Sequence, residues 1–282
     1  MTKKQLPVVI TINQQKGGTG KSTITKNLSS YYAIEENAKV LVIDGDSNGY
    51  LTQLFGDKYI RSTGNIGELL KPKNINTDQQ NNVKLDFVKV HKNIDLIPFD
   101  PYLDKKQNVL LTHQNINYIM LRWFALNKEM LRQYDYIFID THNDFNVFTK
   151  IAISISHLVL SPLDPVLNYE KAQWKMNHEF NNIFTEITNQ ITGESFVQAE
   201  LYVIGNKVRH NTNRDKEFLN YIQNMDNYLT WFPNKELFAL ASNEIISMKD
   251  MINKDKNKHK HENFYAQYKE AIQEIDKIIK SK

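Results

Sequence analysis

The stretch KGGTGKST, Lys16 to Thr23, sets two lysines around three glycines and closes on two hydroxyl residues. Glycines spaced this way let backbone N–H groups turn inward and approach anionic oxygens closely. The chemistry this suits is phosphate binding. Gly17, Gly18, Thr19 and Gly20 would supply the backbone cradle, and Lys21 would sit on the β- and γ-phosphates. Ser22 would ligate Mg²⁺ through its hydroxyl, with Thr23 beside it in the first turn of a helix whose N-terminal dipole adds to the attraction. An apolar run precedes the loop and a helical pattern follows it, which is the context such a loop requires. A second lysine, Lys16, stands at the front of the glycines and is not needed to hold phosphate.

Carboxylates supply the complementary chemistry. Asp44 and Asp46 close the run KVLVIDGD, and Asp140 closes YDYIFID. The C-terminal ends of strands in an open α/β sheet are where ligands bind. Asp140, after four apolar or aromatic residues, would hold Mg²⁺ through a water. His142 follows two residues later and reads as an exposed loop histidine.

These residues need a scaffold to bring them together. Apolar runs occur at 8–13, 39–44, 94–99, 134–140, 157–163, 200–208 and 228–232, most of them apolar at consecutive positions. Strands buried on both faces have this signature. Helical patterns lie between them, over 20–34, roughly 105–133, 169–191 and 262–280. The third of these puts Phe180, Phe184, Ile187 and Ile191 on one face. The alternation predicts an α/β fold, a mostly parallel twisted sheet of seven or eight strands with helices on both faces. The polar stretches 72–93 and 253–263 read as loops, and no linker composition interrupts the 282 residues, so a single domain is expected. The chain has no cysteine, which excludes disulfides, thiolate metal sites and thiol catalysis. No apolar run reaches membrane-spanning length. The net charge of +3 says little about partners.

With its front lysine, KGGTGKST resembles the deviant Walker A motif of the ParA/MinD class of P-loop ATPases. The segment KVLVIDGDSNGYLTQLFG is similar to the family's second conserved stretch, with Ser47 and Asn48 in place of the usual Pro and Gln. Thr141, His142, Asn143 and Asp144 likewise depart from the residues that usually follow the Walker B aspartate. YVIGNKVR and WFPNKELFALA are similar to the family's base-binding segments. The resemblance implies that Lys16 reaches across a homodimer to the phosphates held by the other copy. It implies that Asp46 orients the attacking water, that Asp44 supports the Mg²⁺ shell or the loop, that Asn206 hydrogen-bonds adenine and that Pro233 packs near it.

The short form of ParA-type partition ATPase is the nearest likeness, because the loop begins within the first 20 residues and leaves no room for a preceding helix-turn-helix domain. The likeness implies ATP and Mg²⁺ as cofactors, hydrolysis stimulated by a ParB-type partner, non-specific DNA binding and a cytoplasmic, nucleoid- or plasmid-associated location. Lys249, Lys254, Lys256, Lys258 and Lys260 are the first candidate DNA contacts, and Lys207, Arg209, Arg214 and Lys216 the second. A MinD-type membrane-cycling ATPase and a non-hydrolysing nucleotide switch are the alternatives. The acidic residues on the polar face of the final helix argue against membrane insertion.

Overall fold

The structure, a computed structural model, describes residues 5–61, 63–71, 83–110, 116–189, 191–209, 212–239, 245–254 and 258–282. Eight strands form one sheet: β1 (Val8–Ile12), β2 (Val40–Gly45), β3 (Val88–His91), β4 (Ile94–Ile97), β5 (Tyr136–Thr141), β6 (Leu158–Leu163), β7 (Glu200–Val208) and β8 (Tyr228–Pro233). Their spatial order is β3-β4-β2-β5-β1-β6-β7-β8. Every neighbouring pair is parallel except β3 and β4.

The consecutive apolar runs are explained by what covers each face. In β2, Val40 and Val42 point into a core shared with Leu28, Tyr32 and Ile272, whereas Leu41 and Ile43 point into a second core with Met120, Trp123 and Phe148. A strand with helices on both sides has no solvent face to make polar, so its period of two is hidden in the sequence. Each fully buried aliphatic side chain contributes about 1.5–3 kcal/mol. The first core is closed by α1 (Lys21–Ile34) and the second by α4 (Ile119–Leu131) and α5 (Val147–Ser154). Shorter helices are α2 (Tyr50–Phe55) and α3 (Leu103–Leu110), and α6 (Tyr169–Glu186), α7 (Asn213–Gln223), α8 (Glu236–Ala239) and α9 (Met248–Lys254) lie further along the chain. The final helix, α10 (Glu262–Lys280), buries Tyr268, Ile272, Ile275 and Ile279 in the first core.

Three expectations need correction. The helix expected over 105–133 is two helices, α3 and α4, with a 3₁₀ turn at Ile116–Tyr118 leading into the second. The helix expected to reach 191 stops at Glu186. Its apolar face keeps Phe180, Phe184 and Ile187, but Ile191 is 95% exposed. The cause is Asn189, whose Oδ1 accepts the N–H groups of Ile191 and Thr192 and turns the chain. The stretch 72–93 is not all loop, because β3 lies within it.

The register sets the functional end of the sheet. Asp140 of β5 pairs with Asp44 of β2 on one side and with Ile12 of β1 on the other. The phosphate-loop segment leaves β1 there, and the C-terminal ends of β6, β7 and β8 open onto the same edge.

Candidate functional site

The loop after β1 turns through Gly18 (φ 76°) and Gly20 (φ 93°), both left-handed, and delivers Lys21 as the first residue of α1. Gly20 is required twice over, since a Cβ there would also lie 2.4 Å from the Asn206 amide nitrogen. Lys21 is 8% exposed. Burial pulls its pKa down, and the charges of Asp140, Asp46 and Asp144 oppose that shift. The Ser22 hydroxyl lies close enough to Asp140 to hold its pKa down, and Thr25 Oγ1 donates to Asp140 Oδ1 at 3.4 Å. Thr19, next to these residues, is buried, and Thr23 lines the cleft above them.

Asp140 and Asp44 are fully buried side by side. Burial first, then the Asp44 charge, pushes Asp140 up to about 8. Burial pushes Asp44 up to about 7, against the hydrogen bonds it accepts. The two carboxylates differ in what holds them. Asp44 Oδ2 accepts from Thr52 N at 2.7 Å and Thr52 Oγ1 at 2.6 Å, and its Oδ1 accepts from Asp46 N at 3.2 Å. Of the two roles expected of it, this geometry suits loop support. Asp140 Oδ2, by contrast, is buried with no hydrogen-bond partner.

Asp46 is half-buried and lines the cleft, its Oδ1 accepting from Asn48 N and Nδ2 at 2.9 Å each. Ser47 donates to Asp104 at 2.6 Å, so the loop that departs from the family pattern is tied down. His142 is not a free loop histidine. Its Nδ1 lies 2.9 Å from Asp144 Oδ2, a bond that raises the imidazole pKa. Asp144 also accepts from the backbone N–H and side-chain amide of Asn146, the N-cap of α5.

Lys16 lies at the front of the loop with its Nζ 2.7 Å from Asp164 Oδ1 of the same chain. Asp164 is nearly buried just beyond β6. The only sequence signal for it is an acid directly after the run HLVLSPL.

The cleft measures about 430 Å³ and is lined by the loop glycines, Lys21, Ser22, Asp46 and Asn143. Asn206, Lys207, Pro233, Asn234, Lys235 and Phe238 complete its lining. Pro233 lines this cleft. Asn206 lines it too; its Nδ2 donates to the Thr19 carbonyl at 2.7 Å, while its Oδ1 is buried without a partner. The phosphate-side and base-side predictions thus converge on one cleft of mononucleotide size.

The lysines proposed for DNA stand apart from it. Lys249, Lys254 and Lys260 are exposed on and after α9, and none lines the cleft. Lys256 lies outside the described residues, as does the side chain of Lys258. In the second group, Arg209, Arg214 and Lys216 are exposed, but Lys207 is turned back onto the phosphate loop, where its Nζ donates to the Gly18 carbonyl.

Comparison with known proteins agrees with this geometry. The AAA_31 family profile, described as an AAA domain, matches residues 8–193. The chain is 30% identical over 160 residues to the uncharacterized protein MJECL24 of Methanocaldococcus jannaschii, covering 56% of this chain and 59% of that protein. It is 29% identical over 158 residues to the chromosome partitioning protein ParA of Myxococcus xanthus, covering 55% and 51% respectively. The match therefore spans about half to three-fifths of the length of these curated relatives. Among solved structures, the fold is similar to that of a plasmid partition protein (BB_S35) from Borrelia burgdorferi B31 bound to AMPPNP. That likeness has a TM-score of 0.72 and 23% identity, and covers 96% of this chain and 99% of the other. On the phosphate loop, the parallel sheet that presents it and a profile match over most of its length, the chain belongs to the AAA_31 family and is similar to ParA-type P-loop proteins.

Proposed function

We propose that the chain is a DNA-partition ATPase. It binds Mg-ATP in the cleft, closes on a second copy of itself, binds DNA without sequence preference and hydrolyses ATP when a ParB-type partner stimulates it. One observation carries the reading: Ser22 and buried Lys21, with buried Asp140 beside them, share one cleft with Asn206, Pro233 and Phe238. The Borrelia protein of similar fold is described with AMPPNP bound.

Mg²⁺ fits the residues present, because Asp140 Oδ2 is a buried carboxylate oxygen without a partner beside the Ser22 hydroxyl. Ser22 and Asp140 would hold the ion, which when bound neutralises phosphate charge. Among the described residues no three His, Asp or Glu side chains converge as a metal cluster. That suits an ion held by one or two protein groups together with phosphates and water. Lys21 binds the phosphates, Asp44 holds the 46–52 turn through Thr52, and Asp46 faces the cleft where it can orient a water. Lys16 would leave Asp164 and act on the partner copy's phosphates, as an arginine finger does.

The MinD-type alternative needs a membrane-inserting helix. The apolar stripe of α10 is spent on the sheet core, and no helix among the described residues is long and apolar enough to cross a membrane. The first of these favours partition over membrane cycling.

Binding to non-specific duplex DNA, measured without nucleotide, with ADP and with ATP over a salt series, tests the reading. Tight binding is expected only with ATP, with affinity falling about tenfold or more between 50 and 200 mM salt through counterion release. Equal DNA affinity in all three nucleotide states would contradict it.

The buried carboxylate pair makes a separate prediction. A carboxylate whose folded pKa lies above its unfolded value stabilises the fold at low pH, and that stability is lost as pH rises through the folded value. For Asp44 and Asp140 the loss runs from about pH 4 to about 7 and 8. Asp140→Asn removes one of these groups. The ligand-free variant is expected to gain about 2 kcal/mol at pH 8.5 over the wild type in denaturant titrations, with little gain at pH 4. Its stabilisation by Mg-nucleotide is expected to fall. Equal stability of variant and wild type at pH 8.5 would contradict the buried-pair picture.

A further inference from the structure

Lys207 is one of three described non-glycine residues with a left-handed backbone (φ 57°). Side chains rarely tolerate that conformation, and where they do the surroundings enforce it. The cause here is a bulge in β7. Gly205 is in register with Trp231 and Val208 with Pro233, so Asn206 and Lys207 together face the single residue Phe232 of β8. A bulge re-aims the side chains it carries. Both point at the phosphate loop: Lys207 Nζ donates to the Gly18 carbonyl at 2.5 Å and Asn206 Nδ2 to the Thr19 carbonyl at 2.7 Å. The Lys207 stem also lies along the loop, its Cε 3.9 Å from where a Cβ on Gly20 would stand.

The consequence follows from peptide planarity. In a trans peptide the C=O of one residue and the N–H of the next point in opposite directions. Holding the Gly18 carbonyl toward β7 therefore turns the Thr19 N–H away from it, and holding the Thr19 carbonyl does the same for the Gly20 N–H. Two consecutive loop amides are thereby fixed with their donors free for an anion. Left alone, a glycine-rich loop would pay to order these peptides each time a ligand bound.

We propose that Lys207 is a positioning residue that pre-orients the anion-binding amides of the phosphate loop. It does so through the Gly18 carbonyl, without itself contacting phosphate. The role rests on the nucleotide-binding reading given above, and it predicts an effect on the phosphate end of the ligand and not on the base.

The test is displacement of a fluorescent ADP analogue by ADP and by inorganic pyrophosphate, on wild type, Lys207→Met and Lys207→Gly. Methionine keeps most of the stem and removes the ammonium. Glycine relieves the left-handed backbone, so its fold is expected to melt no lower than the wild type. Both variants are expected to bind ADP and pyrophosphate about three- to tenfold more weakly, by similar factors, as for loss of one charge-assisted hydrogen bond. Wild-type affinity for both ligands in either variant would overturn the proposal. So would ADP weakened with pyrophosphate unchanged, which would make Lys207 a base-side wall. Failure of the wild type to bind any of these ligands would instead overturn the nucleotide reading, and this proposal with it.

Discussion

Lys21→Ala is expected to abolish nucleotide binding while leaving the fold intact. Lys21 is the cation set among Asp140, Asp46 and Asp144 at the mouth of the loop, and their charges are what sustain its protonation against burial. Its removal deletes charge-assisted hydrogen bonds to phosphate, worth about 1.5–3 kcal/mol each. It also leaves Asp46 on the cleft wall, with Asp140 and Asp144 near it, without the cation that sits among them. A loss of at least about a hundredfold in affinity follows. Because burial of the lysine is itself costly, its removal should lower thermal stability little. Calorimetric titration with ADP or an ATP analogue, beside a thermal melt of the same sample, separates the two effects. A correctly folded variant with wild-type affinity would show that the glycine loop is not the phosphate site.

Lys16→Ala is expected to do the opposite. Lys16 is at the front of the loop, bonded to Asp164 and turned away from the cleft wall that Lys21 forms. Nucleotide affinity should stay within about threefold of wild type, while partner-stimulated hydrolysis falls about a thousandfold, the scale of a charge supplied in trans during phosphoryl transfer. Removing Lys16 also strands Asp164, a nearly buried carboxylate, at a cost of about 1–3 kcal/mol. Asp164→Asn in the same background should return that stability without returning turnover. Phosphate release under single-turnover conditions is the measurement. A Lys16→Ala protein that turns over at the wild-type rate would remove the trans role.

How much of this was legible in the sequence depends on how strongly each residue is constrained locally. The phosphate loop was legible because left-handed turns at Gly18 and Gly20 and the lysine between strand and helix leave few other residue choices. The six interior runs were legible because apolar clusters on both faces of the sheet leave little room for polar residues in the strands they cover. The β3 edge strand was not, since its residues are mostly half-exposed and lie in a polar stretch. The end of α6 was hidden for a different reason: Ile191 continues the apolar period, but a side-chain bond from Asn189 outweighs it.

At the site, long-range geometry was the hidden part. Nothing adjacent to Lys16 in sequence announces Asp164, 148 residues away. Asn206 reads as a base contact from its motif, yet one of its two amide N–H groups is given to the loop, which the bulge in β7 explains. Asp44 offered two roles, and the two bonds from Thr52 that suit loop support join residues eight apart. His142 looked like surface decoration until Asp144 was placed beside it.

The central proposal is that two copies close around their nucleotides and each lends the other Lys16. A crystal structure of the chain with Mg²⁺ and a slowly cleaved ATP analogue tests it most directly. The expected result is a two-copy assembly in which Lys16 has left Asp164 and its ammonium lies within hydrogen-bond distance of a phosphate held by the other copy's loop. Nucleotide bound in the cleft of a lone copy, with Lys16 still on its own Asp164, would contradict it.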